Sequence, residues 1–194
     1  HASQSEIFQV YEKLIQSNSK SNLFQKNIID ELKNALKQLS LLSEEYHCTS
    51  ANPPYMGLVK MNISLSDFVK LNYPASKVDL FSCFIERSLH FIKSNGCSGL
   101  VTMESWMFLS DFEQIRKIII KETKIHSLTH FGWHVMRIAF GTVSFILEKD
   151  KPAKNFKGTF SYLNIDDIDK QSENYQVRTS ICHPNEMEEI DTPL

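Results

Sequence analysis

The tetrapeptide Asn52-Pro53-Pro54-Tyr55 constrains this chain more than any other stretch. Two consecutive prolines fix φ at both positions, remove two amide donors and push the residue before them toward extended backbone. Such a segment cannot continue a helix or an interior strand, so it forms a turn whose carbonyls are left free of ladders. Pro-Pro after Asn is by itself an ordinary loop breaker, but its flanking residues suit a particular chemistry. An amino group on a planar π-system is a poor nucleophile because its lone pair is delocalised. A site that methylates it must accept both N–H protons and draw the nitrogen toward tetrahedral geometry. The Asn52 side-chain oxygen can accept one proton and the Pro53 carbonyl the other. Tyr55 offers a flat face for a base, and such stacking is worth about 1–3 kcal/mol. The four residues read as a cradle for an amino-bearing ring.

The surrounding pattern predicts an α/β domain behind a helical segment. Residues 4–17 and 22–45 are helical in period, the second with an apolar stripe of Ile28, Ile29, Leu32, Leu36 and Leu39. The Ser17–Asn22 stretch reads as a polar turn. Tyr46 to Ala51 is the strand that delivers the turn, although Cys48-Thr49-Ser50 is weakly apolar for a buried parallel strand. Residues 56–78 read as a long loop with a short helix near Ser66–Leu71. Asp79 to Lys93 is a helix with Phe81, Ile85 and Leu89 on one face and Asn95-Gly96 as its stop. Gly99 to Met103 is a strand. Ser110-Asp111-Phe112-Glu113 is a capping-box pattern that opens a helix running to about Lys121, with Phe112, Ile115 and Ile119 facing inward. Ile125–Phe131, Thr142–Glu148 and Thr159–Leu163 are strands. The order implies that the last strands include an antiparallel partner.

Several blocks stand in a fixed order: Asn52-Pro53-Pro54-Tyr55-Met56-Gly57, Asn72-Tyr73-Pro74, Asp79-Leu80-Phe81 and Thr102-Met103-Glu104-Ser105-Trp106-Met107-Phe108-Leu109. Over roughly Leu36 to Lys149 the chain resembles the adenine-specific (N6) DNA methyltransferases of phage-defence and restriction-modification systems, of the PglX (BREX-type) and Eco57I-like kind. The resemblance implies the C-terminal half of a Rossmann-like class I methyltransferase domain: a mixed sheet with an antiparallel strand, preceded by N-terminal helices. On that basis residues 1–45 are a helical segment, 46–165 the catalytic-loop half of the domain, and 166–194 a polar acidic tail or the start of a further region.

What the resemblance implies for function is transfer of a methyl group from S-adenosyl-L-methionine to adenine N6 in duplex DNA, on a base flipped out of the stack. Asn52, Pro53 and Tyr55 would be catalytic. Pro54 and Phe140 would face the substrate, Phe140 as the wall opposite the tyrosine. Phe131 and Trp133 compete for that role, and core packing competes for all three. Trp106 and Phe108 read as packing residues near a strand end. Amino methylation of cytosine N4 or of a protein glutamine would use the same cradle. A non-catalytic DNA-binding or interaction module is the alternative from another class.

Composition narrows the setting. A net charge of −2 and the acidic stretch Glu186–Asp191 do not suit a chain that grips duplex phosphates alone. The phosphate grip would then come from the remainder of a longer polypeptide or a partner subunit. Lys60, Lys70 and Lys77 read as solvated surface. No run approaches the ~18 apolar residues of a membrane span, and the opening His1-Ala2-Ser3, without Met, reads as an internal cut. Cys48, Cys83, Cys97 and Cys182 lack C-x-x-C spacing and read as reduced, cytoplasmic thiols. His126, His130 and His134 are four apart, but on a strand that spacing does not converge on a metal.

A complete methyltransferase of this type needs a glycine-rich turn after its first strand and an acidic residue for the cofactor ribose. The six glycines are Gly57, Gly96, Gly99, Gly132, Gly141 and Gly158, and none precedes the Asn-Pro-Pro-Tyr turn. The expectation is therefore a chain from the middle of a larger enzyme, with the cofactor half before it and a DNA-reading region after it. On its own it would bind the cofactor weakly or not at all. A half-sheet would also expose one edge, which predicts self-association through it.

Overall fold

The computed structural model describes residues 4–17, 23–133, 138–163 and 179–182. The chain divides into two compact units, residues 1–45 and 46–194. In the first, α1 (Gln4–Ser17) packs on α2 (Leu23–Ser43). The predicted apolar stripe of α2 is only partly covered: Ile29 and Leu36 are half-buried, whereas Ile28, Leu32 and Leu39 are exposed.

The second unit is built on a six-stranded mixed sheet. Its strands are β1 (Tyr46–Ala51), β2 (Ile92–Met103), β3 (Lys124–Phe131), β4 (Thr142–Glu148), β5 (Gly158–Leu163) and β6 (Thr179–Cys182), in the spatial order β1-β2-β4-β3-β5-β6. β1 and β2 are parallel, β3 and β5 are parallel, and β4 runs antiparallel to both of its neighbours. β1, β2, β3 and β5 therefore end at one edge of the sheet, where open α/β sheets place their ligand sites. The predicted antiparallel partner is β4, together with β6, which the sequence reading did not anticipate.

Helices α3 (Ile63–Asn72), α4 (Leu80–Phe91), α5 (Ser105–Phe108) and α6 (Glu113–Glu122) complete the unit. The main core lies between the sheet and α4 and α6: Phe81, Ile85 and Leu89 meet Ile115 and Ile119 over Leu100, Val143, Phe145 and Leu147. Burying a side chain of this size stabilises the fold by about 1.5–3 kcal/mol. The inward faces predicted for both helices are the faces observed. Trp106 is buried against Phe145 and donates its indole N–H to Thr102 Oγ1 at 3.1 Å, so it is a packing residue.

Four local expectations change. Residues 56–78 hold more structure than a loop with a short helix: a 3-10 turn at Leu58–Lys60 and the ten-residue α3, capped by Asn62, whose side chain accepts from Leu65 N at 2.9 Å. Apolar periodicity misses this helix because much of it faces solvent, with Ile63 and Leu71 exposed and only Val69 buried. Asn95-Gly96 does not stop α4. It forms an irregularity inside a longer β2, where the register jumps from Tyr46↔Ile92 to Cys48↔Cys97 and Asn95 takes φ 61°. The left-handed preference of Asn that suits a helix stop suits a bulge equally well. The Ser110 capping box does not form: a 3-10 turn spans Ser110–Phe112, and α6 starts at Glu113 without a side-chain cap. The polar composition of β1 has a simple cause. Among the described residues it is an edge strand paired only with β2, with His47, Cys48 and Ser50 exposed. His134 and the 186–191 acidic stretch lie outside the described residues. No helix among the described residues is long and apolar enough to cross a membrane.

Candidate active site

The Asn-Pro-Pro-Tyr turn leaves β1 directly, at the edge where the parallel strands end. Pro53 is buried while Asn52 and Pro54 are exposed, so the turn is anchored on one proline and presents its other groups outward. The Tyr55 hydroxyl donates to Asn52 Oδ1 at 3.3 Å, a long bond that biases the carboxamide orientation. The Tyr55 ring is half-buried between two other rings. It meets Phe81 edge-on at 6.0 Å and 88°, and Phe140 edge-on at 5.6 Å and 77°. Burial raises the Tyr55 pKa above the usual tyrosine value, so the hydroxyl keeps its proton at neutral pH.

Asp79 holds the far side of the turn. Its Oδ1 accepts from Met56 N at 2.9 Å and from Phe81 N at 3.2 Å, which caps α4 and ties the residue after Tyr55 to that cap. Leu80 N donates to Met56 O, and Leu58 N to Val78 O, each at 2.9 Å. Burial pushes the Asp79 carboxyl pKa up, against the opposing effect of those backbone donors. The Asp79-Leu80-Phe81 block thus has a local explanation: one side chain closes the turn and starts the helix that delivers Phe81 beneath Tyr55.

Two further strands contribute side chains to this edge. Glu104 follows β2 and pairs with His130 Nε2 near the end of β3, and its other oxygen accepts from Trp133 Nε1 at 3.1 Å. His130 is buried beside Phe108 and Tyr162. The structure therefore brings Tyr55 and Phe140 together, while Trp133 bonds Glu104. Lys60, Lys70 and Lys77 are exposed. His126 and His130 do not converge: His126 joins Glu148, while His130 joins Glu104. The Glu104–His130 pair was missed by sequence reasoning. Nothing in the spacing of residues 104 and 130 links them, since they meet only through the order of β2, β4 and β3.

A sheet with an antiparallel strand entered between parallel ones, and this turn at its C-terminal edge, has the fold of the class I methyltransferases. A putative class I S-adenosylmethionine-dependent methyltransferase from Listeria monocytogenes superposes with a TM-score of 0.52 at 17% identity, over 80% of this chain and 50% of its own. The Eco57I restriction-modification methylase family matches residues 2–135, and the chain belongs to that family. It is 37% identical over 160 residues to the adenine-specific methyltransferase PglX of Lacticaseibacillus casei (strain Zhang), covering 80% of this chain and 13% of that protein. It is 35% identical over 133 residues to the adenine-specific methyltransferase BrxX of Escherichia coli O9:H4 (strain HS), covering 69% of this chain and 11% of that protein. The chain thus spans about one eighth of the length of these relatives.

Proposed function

We propose that this chain carries the amino-group cradle of an adenine-N6 DNA methyltransferase, and that it works within a longer polypeptide or beside a partner subunit in the cytoplasm. The observation that carries the reading is the turn itself: Asn52 exposed, Pro53 buried and Tyr55 stood between Phe81 and Phe140 at the ligand edge of a methyltransferase sheet. Likeness to PglX and BrxX supports adenine as the target.

S-adenosyl-L-methionine, when bound, supplies the electrophilic methyl group. Asn52 Oδ1 and the Pro53 carbonyl accept the two amino protons of the flipped base and raise the electron density available at nitrogen. Tyr55 stacks on one side of the ring, and Pro54 and Phe140 border it. An N–C bond forms as an S–C bond breaks, and one amino proton passes to solvent. Reaching the amino group requires a flipped adenine, because it is otherwise locked in a base pair.

The residues present suit only the methyl end of the cofactor. No glycine precedes Asn52. Of the later glycines, Gly96 and Gly158 lie hard against backbone carbonyls and Gly141 against Glu104, so these three offer no open cradle for a ribose, whereas Gly99 is open but lies within β2. On this reading the adenosine end would be held by the remainder of a longer polypeptide or by a partner subunit.

Asn52→Ala in the full-length protein tests the reading. Digested host DNA should lose N6-methyladenine while the circular dichroism of the variant stays unchanged. Undiminished N6-methyladenine overturns it, and N4-methylcytosine in the wild-type digest moves the assignment to the other base.

A further inference from the structure

Glu104 stands where three strands meet the proposed base site, and each of its polar groups is engaged. Its backbone N–H donates to Gly141 O at 3.1 Å. One carboxylate oxygen accepts from Trp133 Nε1 at 3.1 Å, and the other is paired with His130 Nε2. A Cβ at Gly141 would overlap that carboxylate, so the absence of a side chain there is what admits it. Trp133 and Gly141 flank the connection between β3 and β4, and Phe140 directly precedes Gly141. The carboxylate is only 18% exposed, and a charge this sheltered is costly unless it is paired. Trp133, by contrast, is 60% exposed, so its bond to Glu104 satisfies no buried donor. What that bond does is fix the start of the connection whose end is fixed by Gly141.

We propose that Glu104 is a positioning residue: it clamps both ends of the β3–β4 connection and so holds Phe140 against Tyr55 as the second wall of the base site. The inference rests on the cradle reading of Asn52–Tyr55 and adds to it a residue that touches neither substrate nor cofactor. Displacing a wall of this kind by about an ångström costs on the order of a hundredfold in rate when fully expressed. Partial loosening should cost about tenfold.

The test uses the full-length enzyme and a duplex with 2-aminopurine at the target position, whose emission rises when the base leaves the stack. Trp133→Phe removes the indole donor at an exposed site while keeping an aromatic ring, and Gly141→Ala displaces the carboxylate. Both should lower kcat/KM for DNA by about tenfold, leave KM for S-adenosylmethionine unchanged and alter the 2-aminopurine emission. Glu104→Gln, which still offers an oxygen to Trp133, should recover most of the activity that Glu104→Ala loses. Wild-type kcat/KM and emission in both Trp133→Phe and Gly141→Ala would overturn the clamp, as would equal losses toward DNA and cofactor, which signal general unfolding. Asn52→Ala runs alongside: retained methylation there marks failure of the cradle reading, separately from failure of the clamp.

Discussion

Phe140 meets Tyr55 in an edge-to-face arrangement at a centroid distance of 5.6 Å, just before the chain re-enters the sheet at β4, two strands away from β1. The two rings are placed by different elements, Tyr55 by the turn after β1 and Phe140 by the residues before β4. An adenine held by Asn52 would therefore be bordered by aromatic surface from two separate parts of the sequence.

Removing the second wall should weaken base capture without disturbing the fold, since Phe140 is half-buried and outside the main core. Phe140→Ala is expected to cost about 1–3 kcal/mol in kcat/KM for DNA. Phe140→Tyr should cost little. Steady-state methylation of an oligonucleotide duplex by the full-length enzyme checks both.

Tyr55→Phe keeps the ring and removes the hydroxyl that donates to Asn52 Oδ1 at 3.3 Å. A neutral hydrogen bond of this sort contributes about 0.5–1.5 kcal/mol, so activity should fall less than about tenfold. Tyr55→Ala loses the stacking face as well and should fall much further. A Tyr55→Phe variant as inactive as Tyr55→Ala would mean that the hydroxyl itself takes part in the chemistry.

Asp79→Ala removes an N-cap and the tie to Met56 N together. Loss of the cap destabilises by about 0.5–2 kcal/mol, to be read from urea unfolding of the chain. Asp79→Asn should restore most of that stability, because an amide oxygen accepts from the same backbone donors. Methylation by the full-length enzyme should follow the same order.

Acid sensitivity should centre on the far edge of the sheet. His126 beside Glu148, with Lys124 adding to it, holds the Glu148 carboxyl below its ordinary value of 4.5, and Lys124 lowers Asp150. The unfolded chain then binds more protons than the folded one just below pH 4.5, so stability is complete above that value and falls as pH drops toward the lowered pKa values. Glu148→Gln should flatten the decline of melting temperature with falling pH. An unchanged slope would show that the pairing carries no weight in solution.

Calorimetry on the isolated chain should show no heat of binding for S-adenosylmethionine at submillimolar concentration. The contacts that Asn52 and Tyr55 offer cannot offset an association cost of at least about 4 kcal/mol. Low-micromolar affinity would reveal a cofactor pocket within these residues.

Much of the architecture is legible in the sequence because the core helices and strands obey simple periods. Phe81, Ile85 and Leu89 recur at helical spacing, and Thr142–Glu148 is apolar enough to read as a strand. The illegible parts share a different physics. α3 is held by a cap and by one buried valine, so its apolar pattern is faint. The bulge at Asn95-Gly96 uses the same backbone preference as a helix stop. Glu104 and His130 meet because β4 lies between β2 and β3, and pairing between distant strands leaves no local trace. The Asn-Pro-Pro-Tyr turn was readable for the opposite reason: its chemistry is written in consecutive residues.

Because β4 runs against its neighbours, β3 ends at Phe131 and β4 begins at Thr142 on a single rim of the sheet. The aromatic wall and the reactive turn are thereby held by separate strands, so a substitution that shifts Phe140 leaves the backbone that carries Asn52 in place.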